Sequence, residues 1–432
     1  MKDSMPAHPV AFDLTRLITR LRHASPTGID RVDLAYARHL LAQPGERFGL
    51  VSTPLGPKVL DRGQMAGLVE AAVEAWTESV AVEDDPVYRD LAAALGLPPP
   101  GTGRASPAPN GARRRRERQL RARIAVLRAP GPARLPLNTL YLHTSHLRLD
   151  LPARFDWLYD RPDIRPAFFV HDLIPIEYPE YGRPGEAERH GVRMETVARH
   201  ARAVLVNSAD VGRRFAAHLA GLGRPVPPVT VGPLGIEAAF RAPNGPATPP
   251  ARPTFLVCGT IEPRKNLIAL LTAWRELSLG HGNATPRLVV VGRRGWESEN
   301  VVDLLERCPA VRRHVTEVSG LSTAGLVRLM GSATALLMPS FAEGYGLPVL
   351  EAAASGLPVV ASDIPVHREI AGSFAEFLHP LDGLGWMRTV EALAAPGSPL
   401  RAEMAGRLAG YRAPGWDDHF ARVEPALAAL AV

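Results

Sequence analysis

The chain predicts an α/β fold of two parallel-sheet domains, and three observations carry that expectation. Its 432 residues exceed the length at which a single hydrophobic core stops growing. Short apolar runs alternate with helix-period segments, as in a parallel sheet covered by helices. A Pro-rich stretch, RAPNGPATPPARP at 241–253, breaks the alternation near the middle of the chain.

The first domain opens with a strand at 10–14, a turn through Pro26, Thr27 and Gly28, and a helix from Ile29 to about Leu41. In that helix Val32, Ala35, Tyr36, His39 and Leu40 recur at spacings of three and four, which marks one buried face. A strand at 48–52 and a helix at 65–76 follow. From about 97 to 136 the pattern gives way to Pro, Gly and Arg, and reads as an insertion, partly disordered. Alternation resumes with strands at 139–143, 167–170, 203–207 and 229–231 and helices at 186–201 and 209–220. His171-Asp172 and Asn207-Ser208 stand at strand ends, where open parallel sheets bind ligands.

After the Pro-rich boundary come strands at 254–258, 287–291, 315–318, 335–338 and 357–361. Helices are expected at 266–277, 297–307, 323–330 and 365–371, and a last helix from about 415 to 430. The expected division is 1–240, 241–412 and a C-terminal helix at 413–432 that crosses back to the first domain. Two such sheets joined by a linker imply a cleft between them.

The net charge of +6 is local. Residues 111–128 hold eight arginines against one glutamate, so the remainder of the chain sums to about −1. Leu120, Ile124 and Leu127 fall at i, i+4 and i+7 there, the pattern of a short basic amphipathic helix. A solvated charged surface, an anionic membrane face and nucleic acid are the alternative partners of that segment. No apolar run is long enough to span a bilayer and residues 1–15 lack a signal-peptide core, so a cytoplasmic protein is expected. Cys258 and Cys308 are too few for a disulfide framework.

Two stretches carry chemistry. Residues 338–356, MPSFAEGYGLPVLEAAASG, read as a strand end, a Gly-rich turn and a helix opened by Pro348 and closed by Gly356. Such a turn, with Gly346 and the helix N-terminus beyond it, suits an anion. Glu343 and Glu351 would repel that anion unless they bind hydroxyls, so a ligand with both phosphate and sugar resolves the conflict. The second stretch, from Gly259 to Asn266, places Arg264 and Lys265 before a helix, a fork and a point charge for a diphosphate.

These stretches, GTIEPRKNL at 259–267 and SFAEGYGLPVLEAAASGLPVVASDIPVHREIAG at 340–372, resemble glycosyltransferase family 4. Its members are retaining, nucleotide-sugar-dependent enzymes with the GT-B fold, two Rossmann-like domains facing across a cleft. Weaker matches at 27–31, 171–181 and 206–215 extend the resemblance over most of the chain, the insertion excepted. The resemblance implies that Glu343 contacts the transferred sugar, Glu351 the ribose, and Arg264 and Lys265 the diphosphate. It further implies a phosphate cradle from the amides of Leu347, Val349 and Leu350, a sugar contact by His171, and close approach of a ligand at Gly28. His143 and His146 are further candidates to face the acceptor. Neither the family nor any ligand spacing here calls for a metal.

The expected activity is transfer of a hexose, with mannose favoured, from a nucleotide diphosphate sugar to a saccharide or lipid-linked saccharide acceptor in bacterial surface polysaccharide synthesis. A nucleotide-sugar epimerase of the same architecture and a saccharide-binding GT-B module are the alternatives. A dehydrogenase is excluded by the lack of a Gly-x-Gly-x-x-Gly turn followed by an acidic residue.

Overall fold

The computed structural model describes residues 8–21, 26–75, 80–99, 120, 124–241 and 248–430. They fall into two compact units. Met1–Trp76, Ser106–Gly235 and Trp416–Val432 make up unit 1, and Thr77–Ala105 and Ile236–Gly415 make up unit 2.

Unit 1 contains β1 (Val10–Asp13), β2 (Arg47–Thr53), β3 (Gly56–Leu60), β4 (Leu140–His143), β5 (Arg165–Val170), β6 (Ala203–Val206) and β7 (Val229–Val231). They form one sheet in the order β3-β2-β1-β4-β5-β6-β7, parallel except for the β2–β3 hairpin at its edge. Runs such as AFFV in β5 are apolar on both faces because helices cover both sides of a parallel sheet. Tyr141, Phe168 and Val204 meet Met194, Val197 and Phe215 of two covering helices in its core. The sequence does not announce β3, whose GPKVL begins with two residues that weaken strands and are tolerated at an edge.

The helix Trp416–Leu430 belongs to unit 1. Its buried His419 takes the Tyr36 hydroxyl on Nε2 at 2.8 Å and places Nδ1 at 3.1 and 3.0 Å from the carbonyls of Gly232 and Pro233. Phe420 stacks on His39, ring centroids 3.6 Å apart.

The stretch expected to be an insertion is narrower than 97–136. Leu97, Val126, Ala129 and Leu135 are buried, and the Pro130 carbonyl accepts from Val59 N at 2.8 Å. Apolar side chains and a backbone bond tie both flanks into the fold. Leu120, Ile124 and Leu127 are 58%, 40% and 69% exposed, so the apolar row faces outward. The run of arginines at 113–118 lies outside the described residues.

Unit 2 contains β8 (Thr254–Cys258), β9 (Arg287–Val291), β10 (Val315–Val318), β11 (Ala335–Met338), β12 (Val359–Ser362) and β13 (Glu376–Leu378). The order is β10-β9-β8-β11-β12-β13, all parallel. Trp274, Leu270 and Leu271 of the helix Leu267–His281 pack with Trp386, Val390 and Leu393 of the helix Gly383–Ala394 against Leu288 and Leu337. In both sheets the order reverses beside the first strand, between β1 and β4 and between β8 and β11. Ligands of doubly wound sheets bind at that point, outside the carboxyl ends of the strands.

Unit 2 also claims a piece of chain that precedes most of unit 1. The Asp85 carboxylate caps the helix Pro86–Leu95 at Tyr88 N, 3.0 Å, and accepts from Ser322 N, 2.8 Å, at the start of the helix Thr323–Ser332. Sequence order alone assigns residues 80–99 to the first domain. A cap contributed across 237 positions leaves no periodic signal to say otherwise.

Candidate active site

The loops after β8 and β11 flank the reversal point of unit 2, and they hold the charged residues that the sequence singles out. Gly259, at φ 134°, turns the chain out of β8 in a conformation that side-chain-bearing residues rarely adopt. A single 3₁₀ turn at Pro263–Lys265 presents the two cations. Asn266 ends that turn at φ 53°, and its buried amide donates to the carbonyls of Pro339, 3.1 Å, and Pro380, 2.8 Å. Phe341 N donates to Arg264 O at 2.8 Å, so the two loops are fastened together.

Glu343 is buried between the cations. Its Oε1 accepts from Lys265 Nζ at 2.5 Å and Ser340 Oγ at 2.7 Å, and its Oε2 from Arg264 Nη1 at 2.7 Å. Arg264 Nη1 also reaches Ala342 O at 2.9 Å, and its Nη2 pairs with the buried Glu262 at 2.5 Å. Burial alone would raise the Glu343 carboxyl, but the Lys265 and Arg264 charges outweigh it and hold it well below the usual carboxylate range. His367, buried nearby, donates Nδ1–H to Ser362 O at 3.0 Å, and burial lowers its pKa, so it is neutral. A recess with about 280 Å³ of atom-free space, mouth included, is lined by Cys258, Gly259, Thr260, Lys265, Met338 and Ser340.

The helix after the turn spans Leu347–Ala354, with Gly346 as N-cap at φ 106°. Leu347 opens it, where N–H groups have no intrahelical acceptor. The expected cradle of three amides shrinks accordingly. Val349 N donates to Gly346 O at 3.0 Å, and Leu350 lies far enough into the helix for its amide to serve the helical ladder. Glu351 is buried, 3% exposed, one turn further along.

Unit 1 carries its own polar group at the reversal point and the neighbouring strand end. A neutral imidazole has one N–H, and His171 directs its Nε2–H to Thr144 O at 2.6 Å, which leaves Nδ1 as an acceptor. Burial pushes its pKa down to about 4. Its backbone N–H donates to His146 Nε2 at 3.1 Å and its carbonyl accepts from Asn207 Nδ2 at 3.0 Å, so His146 and Asn207 position it. Asp172 Oδ1 closes a turn to Ile174 N at 3.2 Å, and the Asp172 charge offsets the effect of burial on His171 only in part. His143 does not face an acceptor. It is 1% exposed, near Asp13 and among Tyr141, Phe155 and Phe168, because it is the last inward position of β4. Gly28 is the first residue of the helix Gly28–Ala42, behind a capping box of Thr27 and Asp30, and Arg16 and Arg20 pair with Asp30 at 2.6 and 3.0 Å.

Sequence reasoning missed Glu262, Ser340, Asn266 and His367. Glu262 and Asn266 lay inside the quoted loop, and a buried polar residue beside two cations was the available signal. Ser340 and His367 lay inside the stretch 340–372, but neither carries a fixed charge to single it out. Among the described residues no group of three or more His, Cys, Asp or Glu is placed to hold a metal ion.

Two Rossmann-like parallel-sheet units of this kind define the GT-B fold. The chain aligns over 98% of its length with 96% of sucrose-phosphate synthase from Thermosynechococcus elongatus, TM-score 0.55 at 16% identity. Residues 241–380, which hold Arg264, Lys265, Glu343 and Glu351, match the sequence model of the glycosyl transferases group 1. The chain is 32% identical over 223 residues to the serotype-specific mannosyltransferase WbdA of Escherichia coli, 48% of this chain and 27% of that protein. It is 37% identical over 128 residues to the O-antigen chain mannosyltransferase B of Escherichia coli, 29% of this chain and 33% of that protein. The matches therefore span a third or less of the length of these relatives.

Proposed function

We propose that the chain is a retaining hexosyltransferase that moves a sugar, mannose foremost, from a nucleotide diphosphate to a saccharide acceptor in bacterial surface polysaccharide synthesis. The observation that carries this reading is the pair Arg264 and Lys265 fixed against Glu343 at the reversal point of one sheet. The similarity to two mannosyltransferases supports the choice of sugar.

Arg264 and Lys265 bind the diphosphate and Glu351 the ribose. Glu343 accepts hydrogen bonds from sugar hydroxyls, and His171 offers Nδ1 to a hydroxyl of a saccharide. The acceptor oxygen attacks the anomeric carbon on the face the diphosphate leaves. The carbon–oxygen bond to the diphosphate breaks, and the acceptor's proton passes to a departing phosphate oxygen. Charge grows on that oxygen, and two fixed cations stabilise it without a metal; each such donor contributes about 3 kcal/mol.

Thermal unfolding against GDP-mannose and UDP and dTDP sugars tests the reading. A ligand at 100 times its Kd adds about 2.7 kcal/mol of stability. GDP-mannose is expected to give the largest shift, and no shift with any nucleotide sugar would end the proposal.

The outward apolar row at Leu120, Ile124 and Leu127, beside the arginines in sequence, supports a peripheral contact with an anionic membrane on the cytoplasmic side. Flotation with anionic vesicles should be lost on deleting residues 101–123, which spares the buried flank at Val126. Equal flotation of both forms would remove this part of the reading.

A further inference from the structure

We infer that Glu343 is an internal counter-anion that expels the nucleoside diphosphate once the sugar has left, which makes the site selective for nucleotide sugars over bare nucleotides. The inference rests on the reading of unit 2 as the donor site.

The cradle is electrically neutral when nothing is bound. Arg264 and Lys265 contribute two positive charges, and Glu262 and Glu343, each 4% exposed, contribute two negative ones. Both Glu343 oxygens are engaged, and both cations are already paired. An arriving diphosphate must therefore take Arg264 and Lys265 away from Glu343. A buried, ionised carboxylate stripped of its partners is heavily penalised.

What the diphosphate carries decides whether that penalty stands. A sugar ester brings hydroxyl donors to the released carboxylate, which retains one bond from Ser340. A bare nucleoside diphosphate has only its ribose hydroxyls, which go to Glu351 in the proposed reading, and brings none to Glu343. The nearby imidazole of His367, on the helix Pro365–Ala371, holds its Nδ1 proton on Ser362 O and brings no ready donor. Transfer of the sugar thus restores the competition, and Glu343 reclaims the cations from the product.

Calorimetric titration of the full chain with GDP, UDP and dTDP and their sugar esters tests this. In the wild type the preferred sugar ester binds tighter than its bare diphosphate. Glu343→Gln removes the competing charge at nearly constant shape. Close charge pairs couple by about 1.5 kcal/mol or more, so the bare diphosphate should bind about tenfold tighter, and the preference for the sugar ester should collapse. Unchanged or weaker binding of the bare diphosphate in a variant that melts like the wild type would overturn the inference. Should Glu343→Gln not fold, Ser340→Ala removes the one bond that the released carboxylate keeps, without altering charge. It is then expected to weaken binding of the bare diphosphate about threefold and that of the sugar ester less, and unchanged or tighter binding of the bare diphosphate would be equally fatal. A wild type that binds none of the six ligands defeats the donor-site reading itself, whereas binding without the expected change in the variant defeats only the role of Glu343.

Discussion

Arg264 and Lys265 are adjacent but not equivalent. Arg264 divides its guanidinium among Glu262, Ala342 O and Glu343, so two of its three contacts remain when a diphosphate draws it from Glu343. Lys265 contacts Glu343 through a single ammonium on a flexible stem, and its charge moves onto the diphosphate with least rearrangement. Lys265→Ala should lower kcat by about a hundredfold or more, and it should also lower the melting temperature, because it leaves the buried Glu343 one cation short. Near-normal turnover in initial-rate assays with donor and acceptor would sink its role. These two residues and both glutamates were legible because charge is conspicuous in an apolar, Gly-rich context. Ser340 and His367 were not, because a serine beside a carboxylate or a histidine after a strand is common in any chain. The amide cradle was over-read, since sequence shows where a helix starts but not which of its first N–H groups the ladder consumes.

At the scale of elements, strands were the most legible part of the chain. Thr254–Cys258, Arg287–Val291 and Ala335–Met338 end where the apolar runs end, since strands buried on both faces need continuous apolar sequence. The edge strands Val229–Val231 and Val315–Val318 were read from their β-branched residues, although they are only half-buried. The edge strands β3 and β13 were invisible for the converse reason, as edges tolerate Pro, Gly and charge. How the C-terminal helix is held was equally hidden, because His419, Phe420 and Glu424 find their partners at distant positions in the sequence. Burial pushes the His419 pKa down to about 4, against about 6.5 in an unfolded chain. Between those values the unfolded state binds more protons than the folded one, so stability rises with pH and is lost as pH falls from about 6.5 toward 4. From pH 7 to pH 5 the wild type should lose about 2 kcal/mol more than His419→Gln, whose starting stability is lower. Urea unfolding at the two pH values measures the difference, and equal losses in both proteins would show that His419 is not held neutral.

The whole molecule is organised by a connection that no local pattern predicts. The chain leaves unit 1 after Trp76, contributes Thr77–Ala105 to unit 2, and returns to complete the first sheet with β4 to β7. The two-domain fold was legible from length, alternation and the Pro-rich boundary, but this exchange was not, because its anchors are pairwise and distant in sequence. Asp85 is the chief of them, buried at 2% exposure and accepting from the first turns of two helices at once. Arg287 adds a bond to Ala94 O at 2.6 Å. Removing the carboxylate leaves Ser322 N without its acceptor and uncaps the helix Pro86–Leu95. Each loss costs about 1 kcal/mol, so Asp85→Ala should destabilise unit 2 by about 2 kcal/mol. Asp85→Asn keeps an acceptor oxygen in place and should recover most of that. Hydrogen exchange locates the effect: in Asp85→Ala protection should fall at residues 86–95 and 320–332, while β1 and β4 to β7 exchange as in the wild type. Uniform loss in both sheets would mean that Asp85 supports the molecule as one cooperative body, and unchanged exchange at 320–332 would mean that the segment is not anchored there.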